Sequence, residues 1–378
     1  MARKKLMLFS VSAGAGHVRA AEALRDWANV AYPDLDVIHI DVMELVPEVF
    51  RKLYAQSYLQ LVEHQPSVWG YIYKAADKER SDSKTNKLKI AIERLNTQKF
   101  KDWIKVMKPD YIICTHFLPA ELLSRMIRKK TFDKPVWVVV TDYDIHSFWV
   151  HGLMTGYFVA TDEVGVRLTQ RGVQPKKIKV TGIPVAPEFS RMTQRKWCAG
   201  ALGIDPAKFT VVVMSGGLGL GGNEELVERI ARISKDIQIL AMSGKNAELL
   251  RSYKEIAKSY PGQVFPQGFV KDMEVILGAS DIAITKPGGL TSSECLAKGL
   301  PMILVSPIPG QEERNSDFLL EHGAALKAID PLGLEYRIKM LMKEPKELKR
   351  MKTMAAATGR PMAAKDILRT VLEYKPPA

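Results

Sequence analysis

With 378 residues, 46% of them hydrophobic and 26% charged, the chain suits two domains of about 150–200 residues each and excludes wholesale disorder. No apolar run approaches the roughly 20 residues that cross a bilayer, and the basic start Met1–Phe9 reads as a first buried strand, not a signal peptide. The net charge of +13 calls for an anionic partner: nucleic acid, an anionic membrane or a polyphosphate ligand.

In chain order, Leu6–Val11 is a buried strand, followed by Gly14-Ala15-Gly16 and a helix through Ala20–Trp27. Further strands are expected at Asp36–Ile40, Tyr111–Thr115, Val136–Thr141 and Tyr157–Ala160, with helices between them. Such runs with helical crossovers imply a parallel sheet covered on both faces. Val180–Phe189, reading VTGIPVAPEF, is broken by Gly and Pro and marks the domain boundary. A helix at Arg191–Gly200 follows, and then the pattern restarts. Thr210–Met214 is a strand, Ser215–Gly222 a glycine-rich loop and Glu224–Ile233 a helix; strands follow at Gln238–Met242, Gln263–Phe265, Ile282–Thr285 and Met302–Val305. Met351–Tyr374 reads as one helical stretch, packing back on the first domain. The same α/β logic written twice predicts two Rossmann-like, doubly wound domains facing a cleft, at residues 1–185 and 186–350, with 351–378 as a returning helix.

Cys114, Cys198 and Cys295 are odd in number, far apart and without CxxC spacing. They speak against a disulfide framework or a zinc site and fit a reducing cytoplasm.

The chemistry concentrates in a few loops. At Thr285–Glu294 a strand ends in Lys286-Pro287-Gly288-Gly289, and a helix is expected to start near Thr291. Helix N-termini offer free N–H groups and partial positive charge, and paired glycines let a diphosphate approach the backbone. Glu294, one turn in, suits two ribose hydroxyls; the alternative is a plain loop with Thr291 as N-cap and Glu294 completing a capping box. One βα unit later comes Pro307-Ile308-Pro309-Gly310-Gln311-Glu312-Glu313-Arg314-Asn315, at the sheet edge where open α/β sheets bind ligands. Gln311 and Glu312 offer the donors and acceptors that sugar hydroxyls need; a solvated Pro-rich loop is the alternative.

His17 follows the first glycine loop, where a neutral imidazole suits a general base acting near pH 7. A dinucleotide reading of SAGAGHVR is weakened by Arg19, which stands where the third glycine belongs, although Asp41 at the second strand's end is compatible with it. Asp142-Tyr143-Asp144 mimics an acidic metal motif, but the glycine turn and helix N-terminus can hold a diphosphate, so no metal is expected to be required. Asp142, His146 and His151 follow a first-domain strand and have cleft-facing or structural readings. Arg51–Lys108 carries thirteen Lys/Arg against six Asp/Glu, and around it stand Phe50, Tyr54, Tyr58, Trp69, Tyr71, Tyr73 and Trp103. Basic residues with interfacial aromatics fit an anionic lipid surface; core packing is the alternative, and no RNA motif accompanies the charge.

KPGGLTSSE, then GLP, then PIPGQEERNS resembles the donor-site segment of family 28 glycosyltransferases, nearest to the diacylglycerol branch of monogalactosyldiacylglycerol synthases and processive diacylglycerol glucosyltransferases. Gly14-Ala15-Gly16-His17, Thr141-Asp142, Trp149-Val150-His151, Ala160-Thr161-Asp162, Thr181-Gly182-Ile183-Pro184 and Gly268-Phe269-Val270 are similar to that family in order, so the resemblance spans most of the chain. It implies a GT-B fold and an inverting transfer of glucose or galactose from a UDP-sugar to diacylglycerol. It places His17 and Asp142 at the catalytic centre. Gly216, Gly217 and Pro287–Gly289 would lie along the diphosphate, Phe269 and Val270 would frame uracil, Glu294 would hold ribose, and Gln311 with Glu312 the hexose. Gly16, Thr291 and Asn315 complete the implied UDP-sugar set.

The implied partners are a UDP-hexose, a diacylglycerol or glycolipid acceptor and an anionic membrane reached through residues 51–108, with no nucleic acid. No cofactor is implied, with anionic lipid as a stimulant. The implied location is cytoplasmic, peripheral on the inner face of the cytoplasmic membrane. Alternatives are a UDP-GlcNAc-dependent transferase on another lipid acceptor and a non-catalytic UDP-sugar sensor. A UDP-sugar epimerase would need further cleft carboxylates that the sequence does not identify.

Overall fold

A computed structural model describes residues 3–12, 14–48, 50–51, 98–214 and 223–375. The expected glycine loop Ser215–Gly222, with Gly216 and Gly217, lies outside these residues, as do Tyr54, Tyr58, Trp69, Tyr71 and Tyr73 of the basic segment. The chain divides into two units: Met1–Pro187 with Ile308–Arg314 and Pro361–Ala378, and Glu188–Pro307 with Asn315–Arg360.

In the first unit, KLMLFS forms β1 (Lys5–Ser10), buried at five of its six positions, as expected of a strand covered on both faces. Helix α1 (Ala15–Ala31) begins five residues before the expected stretch at Ala20. Gly14 caps it at φ 101°, a left-handed value that glycine alone adopts without strain. Gly16 and His17 are therefore part of the first helical turn, not of a loop. Ala20, Ala21, Leu24, Trp27 and Ala28 form its buried stripe. There follow β2 (Asp36–Asp41), α2 (Gln98–Met107), β3 (Tyr111–Cys114), α3 (Phe117–Arg128), β4 (Val136–Val139), β5 (Gly156–Val159), α4 (Asp162–Gln170) and β6 (Ile178–Val180). All pairings are parallel, in the order β2-β1-β3-β4-β5-β6. The direction of winding reverses between β1 and β3, and such switch points are where open sheets bind ligands. Phe50 and Trp103 pack against this core, so these two aromatics take the packing alternative instead of an interfacial one.

The second unit runs α5 (Arg195–Leu202), β7 (Phe209–Met214), α6 (Asn223–Ala231), β8 (Ile237–Met242), α7 (Ala247–Ser259), β9 (Val264–Gln267), α8 (Met273–Ala279), β10 (Ile282–Thr285), α9 (Gly289–Ala297), β11 (Met302–Val305), α10 (Gln311–Glu321, of which the part from Asn315 counts with this unit), β12 (Ala325–Ala328), α11 (Pro331–Lys343) and α12 (Pro345–Thr358). Its order, β12-β11-β10-β7-β8-β9, is the 3-2-1-4-5-6 arrangement of dinucleotide-binding sheets read from the other edge. Its switch point lies between β7 and β10, where Met214 and Thr285 are register partners. Val211, Ile239, Ile284, Ile303, Tyr253 and Ile338 fill the core on one face of this sheet.

The single helical stretch expected at Met351–Tyr374 is two helices. α12 ends at Thr358 and α13 spans Ala363–Leu372. Gly359 takes extended backbone, and a Cβ there would lie 2.3 Å from the Leu296 carbonyl oxygen. Pro361 next removes an N–H and biases Arg360 away from helix. α13 belongs to the first unit, where Ile367, Leu368 and Val371 pack with Leu24, Trp27 and Ala28 of α1.

Candidate functional site

The first unit's switch point gathers the residues around His17. β1 and β3 run side by side, Phe9 opposite Cys114, so the turn after β1 and the residues after β3 emerge together. His17 Nδ1 lies 2.9 Å from the Thr115 carbonyl oxygen and 2.9 Å from Thr141 Oγ1. A carbonyl only accepts, so the assigned tautomer carries its proton on Nδ1 and leaves the Nε2 lone pair for a substrate proton. The ring is half-buried, and desolvation lowers its pKa to about 4, opposed by the Thr115 hydrogen bond. The imidazole is therefore neutral near pH 7 but a weaker base than an ordinary histidine. His116 meets His17 edge to face, ring centroids 4.6 Å apart, and accepts the Leu118 N–H at 3.0 Å. Burial, then His17, holds His116 well below the usual histidine range. Trp149 stands 6.0 Å from His17.

Thr115, His116, Thr141 and Trp149 are the residues that the sequence reading passed over as partners of His17. Thr141 and Trp149 lay within quoted motifs, but only strand pairing shows which of these side chains reach His17. Asp142 is buried, and its carboxylate accepts a hydrogen bond from the Gln311 amide. Asp144 faces two cations, Arg167 at 3.5 Å and Arg314 at 3.7 Å. His146 accepts the Phe148 N–H at 3.2 Å, and His151 Nδ1 pairs with Glu121 at 3.1 Å. Burial alone would raise Glu121, but His151 and Arg125 outweigh it and hold the carboxyl at about 2.

The segment Ile308–Arg314 is counted with this unit. Gln311, Glu312 and Asn315, expected in a polar loop, lie on helix α10. Glu312 accepts the Ile308 N–H at 2.8 Å, and Glu313 reaches back to the Gly310 N–H at 3.0 Å. The second contact is the reciprocal half of a capping box.

In the second unit, α9 starts at Gly289 with Gly288 as its N-cap, and no side chain caps it. This overturns the capping alternative: Thr291 lies in the first turn of the helix, so it and Glu294 form no capping box. The first-turn N–H groups carry no side-chain cap, as an anion site requires. Glu294 is 4% exposed, and Pro287 and Gly289 are buried. Asn315 is fully buried and donates to the Pro287 carbonyl at 3.0 Å. That bond makes it a brace for the turn. Asn315→Ala is expected to cost about 1–3 kcal/mol through the orphaned Pro287 carbonyl. It should lower the melting temperature and raise KM for the donor several-fold, read by thermal unfolding beside steady-state kinetics.

Phe269 is 64% exposed, with the Lys245 ammonium 5.3 Å from its ring centroid, and Val270 is half-buried. The core-packing alternative for Phe269 is therefore excluded. An exposed aromatic face beside a strand end is available to stack on a planar base. Among the described residues no group of three or more His, Cys, Asp or Glu is arranged to hold a metal ion.

Comparison with solved structures identifies the architecture. MurG of Acinetobacter baumannii aligns with TM-score 0.58 at 17% identity, over 98% of this chain and all of that one. The UDP-GlcNAc 2-epimerase of Neisseria meningitidis, solved bound to UDP-GlcNAc, aligns with TM-score 0.59 at 14% identity, covering 98% and 100%. The fold is GT-B, two Rossmann-like α/β units whose described residues form six parallel strands each.

Sequence comparison carries the assignment further. A family model described as monogalactosyldiacylglycerol (MGDG) synthase matches residues 17–185, and the glycosyltransferase family 28 C-terminal domain matches 210–367. A processive diacylglycerol beta-glucosyltransferase of Staphylococcus aureus (strain MRSA252) is 30% identical over 339 residues, 87% of this chain and 82% of the relative. One from Bacillus pumilus (strain SAFR-032) is 29% identical over 375 residues, 98% and 95% of the two chains. The chain belongs to the family 28 glycosyltransferases, in their diacylglycerol glycosyltransferase branch.

Proposed function

We propose that this protein transfers a hexose from a UDP-sugar to the hydroxyl of diacylglycerol, releasing UDP and forming a β-glycolipid. The observation that carries the reading is the chemistry at the two switch points. One presents an N-terminus without a side-chain cap behind a Pro-Gly-Gly turn, and the other an imidazole whose Nδ1 is engaged and whose Nε2 is left to act. Two relatives bear the name diacylglycerol beta-glucosyltransferase, which makes UDP-glucose the donor to try first.

In the proposed reaction the diphosphate lies on the N-terminus of α9, whose N–H groups stabilise charge developing on the leaving group. Phe269 stacks on uracil and Glu294 accepts the ribose hydroxyls. His17 Nε2 takes the acceptor hydroxyl proton as its oxygen attacks the anomeric carbon opposite the departing UDP, inverting that centre. Thr115 and Thr141 hold the ring as it becomes imidazolium. Asp142, with Gln311, orders the polar surroundings of the acceptor.

The site is proposed to work without a required metal, because helix N–H groups supply the positive potential a cation would otherwise provide. Turnover is then expected to survive excess EDTA within about twofold, whereas loss restored by Mg²⁺ would contradict this. Among the described residues no helix is long and apolar enough to cross a membrane. The proposed location is peripheral, on the inner face of the cytoplasmic membrane, with the basic residues 51–108 as one contact. The deciding experiment incubates purified protein with diacylglycerol-containing membranes and labelled UDP-glucose or UDP-galactose, then identifies the lipid product. No glycolipid from either donor rejects the function.

A further inference from the structure

The chain leaves β12 at Ala328 and enters α11 through Ile329-Asp330-Pro331. α11 buries Leu334, Ile338 and Leu341 in the second unit's core. The opposite face of such a helix is ordinarily polar. Here Ile329 is 84% exposed, Leu332 74% and Tyr336 67%. Leu332, Tyr336, Lys339 and Lys343 recur at every third or fourth residue and so share one face, and both lysines are exposed. Single exposed apolar residues are commonplace, but three together, continued by cations, form an amphipathic strip of a particular kind.

The surrounding charge has one sign. Lys327 to Lys352 holds eight Lys/Arg against four Asp/Glu. Three of those carboxylates are engaged locally: Asp330 takes the Gly333 N–H, Glu335 pairs with Arg229 at 2.8 Å and with Lys339 of the strip at 3.9 Å, and Glu347 pairs with Arg350. β12 is two strands from β10 in a parallel sheet, so Ile329 and the start of α11 lie at the same sheet edge as the Pro287–Gly289 turn, and the helix carries Lys339 and Lys343 away from that edge. At the usual strand spacing the ends of β10 and β12 are about 10 Å apart.

We infer that this face is a docking surface for an anionic lipid bilayer. Ile329, Leu332 and Tyr336 enter the boundary between headgroups and acyl chains, and Lys339 and Lys343 meet lipid phosphates. The inference rests on the proposed lipid acceptor for its purpose: the apolar start of the strip lies at the sheet edge that carries the donor turn, so docking brings that edge toward the plane in which such an acceptor resides. It is independent of the basic segment at residues 51–108.

The experiment is flotation of the full chain with vesicles of phosphatidylglycerol and phosphatidylcholine, and with phosphatidylcholine alone. Lys339→Gln/Lys343→Gln is expected to weaken binding to the anionic vesicles by about fivefold per lysine. Leu332→Ser/Tyr336→Ser should weaken it about tenfold or more. Both pairs are exposed, so melting temperatures should match the parent; if the serine pair unfolds, the glutamine pair still decides. Both variants should keep the parent rate on short-chain diacylglycerol dispersed in detergent and lose rate on vesicles. Vesicle binding unchanged in the glutamine pair overturns the inference. So does a parent dimer, seen by sedimentation, that the serine pair dissolves while vesicle binding persists, since the strip would then meet a second copy. If the parent itself makes no glycolipid, the functional reading fails while the vesicle measurement still decides this one.

Discussion

Replacing His17 with alanine is expected to lower kcat by about 10²–10⁴-fold, the usual contribution of a positioned general base. UDP affinity, read by calorimetry, should stay unchanged, because the proposed diphosphate contacts lie at α9, on the other unit. That split separates an enzyme from a UDP-sugar sensor, whose ligand response would not depend on the imidazole. Unchanged turnover would sink the mechanism. The pH dependence follows from the same geometry. Burial lowers the His17 pKa to about 4, so the free enzyme should keep this group neutral across the physiological range. The acid limb of kcat/KM due to His17 is expected near pH 4 and not near 6.5. For stability, the unfolded chain binds this proton more readily than the folded one. His17's contribution is therefore complete above about pH 6.5 and falls away as the pH drops toward 4. An Nδ1 partner that is a carbonyl, with no carboxylate on it among the described residues, explains why burial prevails.

Asp281→Ala should be the most damaging single change in the second unit, at about 2–4 kcal/mol, read as a fall in thermal midpoint and in denaturant midpoint. The carboxylate stands at the start of β10, where its Oδ1 accepts from Arg195 and from Lys352 at 2.8 Å and its Oδ2 accepts the Thr210 N–H at 3.0 Å. One side chain thus ties α5, β7, β10 and α12 together. Its removal leaves Arg195 Nη1 and a buried N–H without their acceptor and takes away the counter-charge of a guanidinium that, among the described residues, otherwise meets only neutral oxygens. The figure is set below the usual cost of breaking a buried pair because the Lys352 side chain is 37% exposed and water can reach it. Burial alone would raise the Asp281 pKa, but Arg195 and Lys352 prevail and hold it below the ordinary value. Its stabilisation is present above about pH 4 and is lost as the pH falls through that depressed pKa. Asp281→Asn keeps an acceptor and should cost less than alanine. A midpoint within a degree of the parent for Asp281→Ala would show that the hub carries no load.

Much of the architecture was legible because the central strands are buried on both faces. β1, β7, β8 and β10 read as mostly apolar runs, and a parallel sheet writes its interior strands that way. The edge strands β6 and β12 escaped the reading, being short and only partly buried, so periodicity carries little signal there. The break at Gly359–Pro361 was visible as residues but not as a boundary. What requires it is the Leu296 carbonyl packed against Gly359, a contact between positions far apart in sequence.

At the candidate site, Lys286–Gly289 and His17 were legible as types of group: glycines behind a strand, and a histidine at a helix start. Their surroundings were not. Thr115 and Thr141 reach His17 only because β3 lies beside β1 and β4 beside β3 in the sheet, and Asn315 reaches Pro287 only because β11 returns beside β10. Chain-local reasoning gave Thr291 and Glu294 a capping role as one alternative; in the structure the helix starts at Gly289, without a side-chain cap.

The sequence by itself determined the two-fold α/β pattern, the family and the loops that carry chemistry, because burial period, glycine placement and motif order are local properties. Tertiary structure alone decided the proton-bearing nitrogen of His17, the bond by which Asn315 braces Pro287, the exposure of Phe269 and the lysine-bordered strip on α11. Each of these depends on which residue a strand crossing brings within about 3 Å, or leaves facing water, and such proximity has no signature along the chain.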